Sequence, residues 1–267
     1  MDYNTIKFEE PQVGTGLITL NRPQRLNAIN LDMLEELHAL FEVLKDREDV
    51  RVVIITGEGR GFCSGADLMD ERINKEAATL FSSAAAYLMN VQKRYSRLII
   101  EMRRLPQPII TAVNGPAAGG GMCIALASDI IIAGHGSAFT PSFINIGLSG
   151  GELGTTYFLP RLVGSARAAD ILLTGRTVDA AEAEKIGLVS RLVAPEELMD
   201  TAMEIAAGML EKTPLGLRLT KETINQNQNA SSFETAIELE NRNQSLLCIT
   251  PEFFKAVEDF SKKKSRA

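Results

Sequence analysis

The chain has no tryptophan, only three cysteines and only two histidines in 267 residues. Cys63, Cys123 and Cys248 are odd in number and scattered, so they offer no disulfide framework and fit a reducing compartment. His38 and His135 form no HExxH pattern, and the cysteines form no CxxC pair, which removes the common metal sites. Gly147-Leu148-Ser149-Gly150-Gly151 has the G-x-S-x-G form of a nucleophile elbow. A hydrolase of that kind needs a histidine after the serine, and both histidines precede it. The glycine runs lack the Lys-Ser/Thr of a P-loop and the spacing of a dinucleotide fingerprint. No apolar run approaches membrane-spanning length, and Met1-Asp2-Tyr3-Asn4 has neither basic nor apolar leader character. Positive charge is also in short supply. Lysine and arginine number 28 against 34 acidic residues, a net charge of −6, which argues against a nucleic-acid partner. Lys262-Lys263-Lys264 is a short solvated run. The expectation is a cytoplasmic protein handling a small molecule, with no metal, nucleic acid or membrane.

Apolar residues make up 45% of the chain and aromatics 6%, so the core must be largely aliphatic. Ile6-Phe8, Leu17-Leu20, Val52-Thr56, Ile109-Val113 and Ile130-Ala133 read as strands. Leu31-Lys45 reads as an amphipathic helix capped by Asn30, with Leu34, Leu37, Phe41 and Leu44 at helical spacing. Residues 71–104 have helical composition and end at Pro106 and Pro108. Beyond about 152 the pattern is mainly helical: Ala166-Leu173, Ala180-Ile186, Glu196-Lys212, Leu215-Asn227, Phe233-Leu247 and Phe253-Lys262. Leu246, Leu247 and Ile249 add apolar surface beyond one helix face, as subunit contacts require.

Two glycine-rich stretches carry the chemistry. Gly57-Glu58-Gly59-Arg60-Gly61-Phe62-Cys63-Ser64-Gly65-Ala66-Asp67-Leu68 follows the first long β-branched run. Asn114-Gly115-Pro116-Ala117-Ala118-Gly119-Gly120-Gly121 follows the second. Each reads as a turn leaving a buried strand, where glycine bares peptide N–H groups to a ligand. Two such turns on neighbouring strands can aim two donors at one oxygen, an oxyanion site made without side chains.

The pair resembles the enoyl-CoA hydratase/isomerase (crotonase) superfamily. The likeness extends through Asn21-Arg22-Pro23-Gln24-Arg25-Leu26-Asn27-Ala28, Ser128-Asp129-Ile130, Leu159-Pro160-Arg161-Leu162-Val163-Gly164, Leu173-Thr174-Gly175-Arg176 and Ala183-Glu184-Lys185-Ile186-Gly187-Leu188-Val189. It covers about residues 5 to 263. The resemblance implies an α/β fold: a ββα spiral core in residues 1–200 and a helical trimerisation region in 201–267, assembled as a homotrimer or homohexamer. It implies an acyl-CoA substrate and no separate cofactor. The N–H groups of Ala66 and Gly120 become the oxyanion donors, the latter at the start of a helix Met122-Ala127. Gln24, Arg25, Leu26, Ala28, Ser64, Gly65, Asp67, Leu68, Gly119 and Phe143 complete the substrate and CoA contacts. Leu80, Phe81, Tyr87, Leu88 and Met89 would wall an apolar acyl pocket.

The acid–base groups depart from the family pattern. Family hydratases carry a glutamate where Cys123 stands and a second where Phe143 stands. Some family isomerases and dehalogenases place their working carboxylate at the position of Gly151, one residue before Glu152. Glu152 is then either the catalytic base or an acidic residue in the first turn of a helix. Asp67 and Asp129 read as loop anchors. With one carboxylate, a double-bond shift is easier to support than hydration, which needs two groups. Hydration or dehydration, hydrolysis, decarboxylation and retro-aldol chemistry on the same scaffold stay open, as does an acyl-CoA-binding protein without catalysis. RNA binding, known for one relative with a lysine-rich helix, is disfavoured because Asp32, Glu35, Glu36 and Glu42 make the corresponding helix acidic.

Overall fold

The computed structural model describes residues 3–72, 75, 76 and 83–264. Leu80 and Phe81 of the expected acyl wall, and the Tyr87 side chain, lie outside the described residues. The chain divides into two compact units, 1–207 and 208–267.

The first unit is organised by a six-stranded sheet in the order β1 (Ile6–Gln12), β2 (Thr15–Leu20), β3 (Val52–Gly57), β4 (Ile109–Val113), β6 (Ile130–Gly134), β9 (Arg191–Val193). β1 and β2 form an antiparallel hairpin, and every later pairing is parallel. β3 and β4 are buried at every position, which is why their sequences are continuous β-branched runs instead of alternating ones. Their pairing, Ile54 opposite Ile110, puts the two glycine turns at adjacent strand ends.

Between β2 and β3 runs α1 (Leu31–Leu44), capped as expected: the Asn30 side chain accepts from the Met33 N–H at 3.0 Å. Leu34, Leu37, Phe41 and Leu44 are all buried. Between β3 and β4 runs α2 (Ala84–Arg104), capped by Ser83. Its closing turn is followed by Pro106 and Pro108, which cannot continue a helix. The fully buried α3 (Gly120–Ala127) joins β4 to β6.

A second sheet has three strands: β5 (Pro116–Ala118), β7 (Ala138–Thr140) and β8 (Val178–Asp179). β5 corrects the sequence reading, because the second glycine stretch is itself partly a strand. Pro116 occupies its first position, where a missing N–H is tolerated. β7, β8 and β9 are two or three residues long, too short to leave a periodic signal. α4 (Thr155–Val163), α5 (Ser165–Thr174) and α6 (Ala180–Lys185) follow. α7 (Leu198–Leu210) spans the break between units.

The second unit contains α8 (Pro214–Asn227), α9 (Phe233–Leu247) and α10 (Pro251–Lys264). Asn243 is buried there and donates to the Thr223 hydroxyl at 2.8 Å. Phe233, Ile249, Phe254 and Phe260 are exposed in the isolated chain, each by more than 60%. No helix among the described residues is long and apolar enough to cross a membrane.

Candidate active site

The two glycine turns meet. A parallel bridge joins Cys63 to Ala117, and Ala118 donates its N–H to the Cys63 carbonyl at 2.9 Å. Only glycine permits the approach. A Cβ at Gly65, whose φ is +95°, would stand 2.9 Å from the Ala118 oxygen and 3.1 Å from the Gly120 nitrogen. A Cβ at Gly121 would lie 2.1 Å from the Cys63 oxygen, a collision no rotamer relieves.

Ala66 is held on both sides. Ile29 donates to the Gly65 carbonyl at 2.7 Å, and Asp67 donates to the Ile29 carbonyl at 2.9 Å. The Ala66 N–H between them donates to no described residue, and neither does the Gly120 N–H. A Cβ at Gly120 would fall 3.8 Å from the Ala66 nitrogen, so the two free donors flank one small space. The second donor opens α3, whose dipole places positive potential there. Two preorganised N–H groups at one point are suited to a developing oxyanion.

The segment expected to meet CoA lies alongside. Ser64 donates its N–H to the Leu26 carbonyl at 2.9 Å and its hydroxyl to the Arg25 carbonyl at 3.3 Å. Leu26 and Asn27 both have positive φ, a conformation strained for branched or bulky residues and tolerated where the surroundings over-determine it. The buried Asn27 side chain supplies that constraint. Its amide donates to the carbonyls of Glu58, Gly61 and Phe62 and its oxygen accepts from the Arg22 N–H. Gln24 and Arg25 are exposed, and Arg25 forms no ion pair among the described residues. Ala28 is buried and presents its carbonyl to Arg22. Leu68 is exposed.

Asp67 does not offer a free carboxylate. Arg22 pairs with it at 2.8 Å, and the Met69 N–H donates to it at 3.1 Å. Asp129 likewise accepts from the Ile109 N–H at 2.7 Å and pairs with Arg103. Both brace loops, as their positions suggested. Arg22 was quoted in the sequence pattern without a role, and only its fold-distant partner reveals one. Tyr95 on α2 is a second unread support: it donates to the Ile29 carbonyl at 2.7 Å. Burial, then the nearby Asp70 charge, pushes its hydroxyl above the usual range.

The side expected to hold the acid–base groups is formed largely by the loop between β7 and α4. The Phe143 ring lies over Gly119, 3.6 Å from where a Cβ would be. Leu148 donates back to the Phe143 carbonyl at 3.0 Å, closing the loop on itself. Cys123, one helical turn beyond Gly120, is fully buried and its Sγ lies 3.8 Å from the Glu152 carbonyl oxygen. Burial pushes the Cys123 thiol well up, and the Glu152 charge adds to it; the group stays protonated. Cys63 is pushed up to about 12 by burial, against the opposing effect of a backbone hydrogen bond from Gly65.

Glu152 is half-buried and does not sit in the first turn of a helix. That turn begins at Thr155, after Gly154, and holds no acidic residue. The first-turn alternative is therefore overturned, because the Leu153-Gly154 pair, with φ of +46° and +88°, turns the chain before the helix starts. Gln92 on α2 donates its amide to the Glu152 carboxylate. Gln92 escaped the sequence reading, although it stands four and three residues after Leu88 and Met89, on the face expected to wall the acyl group. Among the described residues no group of three His, Cys, Asp or Glu side chains is gathered as a metal would need.

A central parallel sheet with crossing helices, paired glycine turns and a C-terminal helical unit is the crotonase fold. A crystal structure described as a probable enoyl-CoA hydratase/isomerase from Mycobacterium abscessus superposes with a TM-score of 0.89 at 37% identity, covering 98% of this chain and 96% of that one. The family model described as Enoyl-CoA hydratase/isomerase matches residues 10–266, and the chain belongs to that family. It is 43% identical over 254 residues to "Probable enoyl-CoA hydratase EchA12" of Mycobacterium tuberculosis, covering 94% of this chain and 88% of that protein. It is 37% identical over 256 residues to the 1,2-epoxyphenylacetyl-CoA isomerase of Escherichia coli, covering 94% of each.

Proposed function

We propose that the protein moves a double bond in an enoyl-CoA by proton transfer next to the thioester. The thioester oxygen would lie between the Ala66 and Gly120 N–H groups, which stabilise the enolate formed when the adjacent carbon loses its proton. Glu152 removes that proton and returns it at the far end of the allyl system. One observation carries the reading: the Glu152 main chain meets Cys123, one helical turn beyond Gly120, at 3.8 Å, which brings the Glu152 carboxylate close enough for its charge to push the Cys123 thiol up. Hydration needs one group to position water and another to deliver a proton. Cys123 and Phe143 occupy those two places, and neither accepts a proton at neutral pH. The thioester's CoA part would run past Gln24, Arg25, Leu26, Ala28, Ser64, Gly65 and Leu68, where the main chain is held open by Asn27. Leu88, Met89 and Phe143 favour an apolar acyl group without a distal charge.

Glu152→Gln tests the assignment. Turnover of a β,γ-unsaturated acyl-CoA should fall at least about a hundredfold, with acyl-CoA affinity by calorimetry nearly unchanged, since binding rests on backbone groups. Retained turnover would remove Glu152 as the base. Loss of all activity on every acyl-CoA in the wild type, with binding intact, would favour the non-catalytic binder.

The exposed phenylalanines of the C-terminal unit support a trimer or dimer of trimers. Sedimentation at micromolar concentration should give that mass, and a compact monomer would rule it out.

A further inference from the structure

Glu152 is gripped by one oxygen only. Its Oε1 accepts from the Gln92 side-chain amide and from the Leu153 N–H, the latter at 3.1 Å. Its Oε2 has no partner among the described residues. The main chain around it is equally fixed. The Glu152 N–H donates to the Thr155 hydroxyl at 3.0 Å, and that hydroxyl donates to the Gly150 carbonyl at 2.9 Å. Leu153 adopts φ +46°, unfavourable for a branched side chain, and is held there by packing against the core. A main-chain N–H and a side chain from a helix 60 positions away thus converge on a single carboxylate oxygen, while the Thr155 hydroxyl fixes the main chain that carries it.

We infer that Gln92 is a positioning residue for Glu152: its amide fixes Oε1 and leaves Oε2 as the oxygen that carries the proton. The inference rests on Glu152 being the base. Gln92 suits the task because its amide donates without ionising, so it stabilises a carboxylate without competing for the substrate's proton. An arginine or lysine there would give a stronger partner and would make Glu152 a poorer base. A leucine would leave the carboxylate free to rotate away. Gln92 itself is exposed at the helix surface, so replacing it removes no core packing.

The test uses a β,γ-unsaturated acyl-CoA with the full-length protein and three variants. Gln92→Leu should lower kcat about tenfold, the kinetic equivalent of one charge-assisted hydrogen bond, with KM unchanged. Gln92→Glu should match that loss at alkaline pH, where two carboxylates face each other. It should recover toward wild type as pH falls and the introduced carboxyl takes a proton and donates as the amide does. A role in folding alone would not give that pH-dependent recovery. Wild-type kcat in Gln92→Leu overturns the inference, and so does a raised KM with kcat unchanged, which would make Gln92 a substrate contact. Glu152→Gln in the same assay separates the two levels. If it is inactive while Gln92→Leu is unimpaired, only the positioning role fails; if it stays active, the base assignment fails and the positioning role with it.

Discussion

The proposed oxyanion half and the proposed acid–base half of the site are built in opposite ways. The first uses peptide groups at the ends of two buried, hydrogen-bonded strands, and its neighbours are backbone atoms at contact distance. The second, as proposed, uses one side chain on a loop, half-buried and bonded by a glutamine from another element. The turns that present the donors tolerate almost no change at two neighbouring glycines, since any Cβ at Gly65 or Gly121 meets a carbonyl oxygen. A carboxylate can be replaced at the cost of function while the fold stands.

The comparison can be broken most sharply at Gly120. A Cβ there would have 3.3 Å to the Ile29 Cδ1 and would stand before the Ala66 N–H, so the fold can yield while the oxygen's space cannot. Gly120→Val should lose about 3 kcal/mol of transition-state stabilisation, the usual loss for one oxyanion donor. It should also weaken acyl-CoA binding, which Glu152→Gln should not. Steady-state kinetics together with calorimetry read both. Equal effects of the two variants on binding would erase the distinction between the halves.

A smaller effect sharpens the account of how the oxyanion half is held. The Cys63 thiol donates to the Asn27 carbonyl at 3.1 Å, and burial lifts it from 9.0 to about 12. The folded state therefore keeps this proton through a range in which the unfolded chain has released it. The contribution to stability is fully present below pH 9.0 and is lost as pH rises toward about 12. For this one thiol the slope is at most about 1.4 kcal/mol per pH unit. Urea midpoints measured from pH 8 to 11 should fall less steeply in Cys63→Ala than in the wild type. Identical slopes would mean that this thiol does not titrate on unfolding.

Much of the oxyanion half was legible because its determinants are local. Each glycine stretch directly follows a β-branched run, and glycine spacing together with the strand pattern announces a turn that bares N–H groups. The helix Leu31–Leu44 was equally plain, down to its Asn30 cap. Short strands such as Val178–Asp179 were not, because two residues exist as a strand only through the partner they meet. Arg22 with Asp67, Tyr95 with the Ile29 carbonyl, and Gln92 with Glu152 are separated by 45, 66 and 60 positions. No periodicity links such pairs.

The sequence by itself determined the family, the aliphatic parallel sheet, the two glycine turns and the absence of a carboxylate at Cys123 and Phe143, since residue type and near-neighbour order suffice for these. Tertiary structure alone decided that the Ala66 and Gly120 N–H groups, unbonded among the described residues, flank one space, that Asp67 is already engaged, and that Glu152 precedes its helix with one oxygen held and the other without a partner among the described residues. The physical reason is range. Strand and turn propensities act over a few residues, whereas hydrogen-bond satisfaction and charge pairing are settled only when distant segments are brought within about 3 Å of each other.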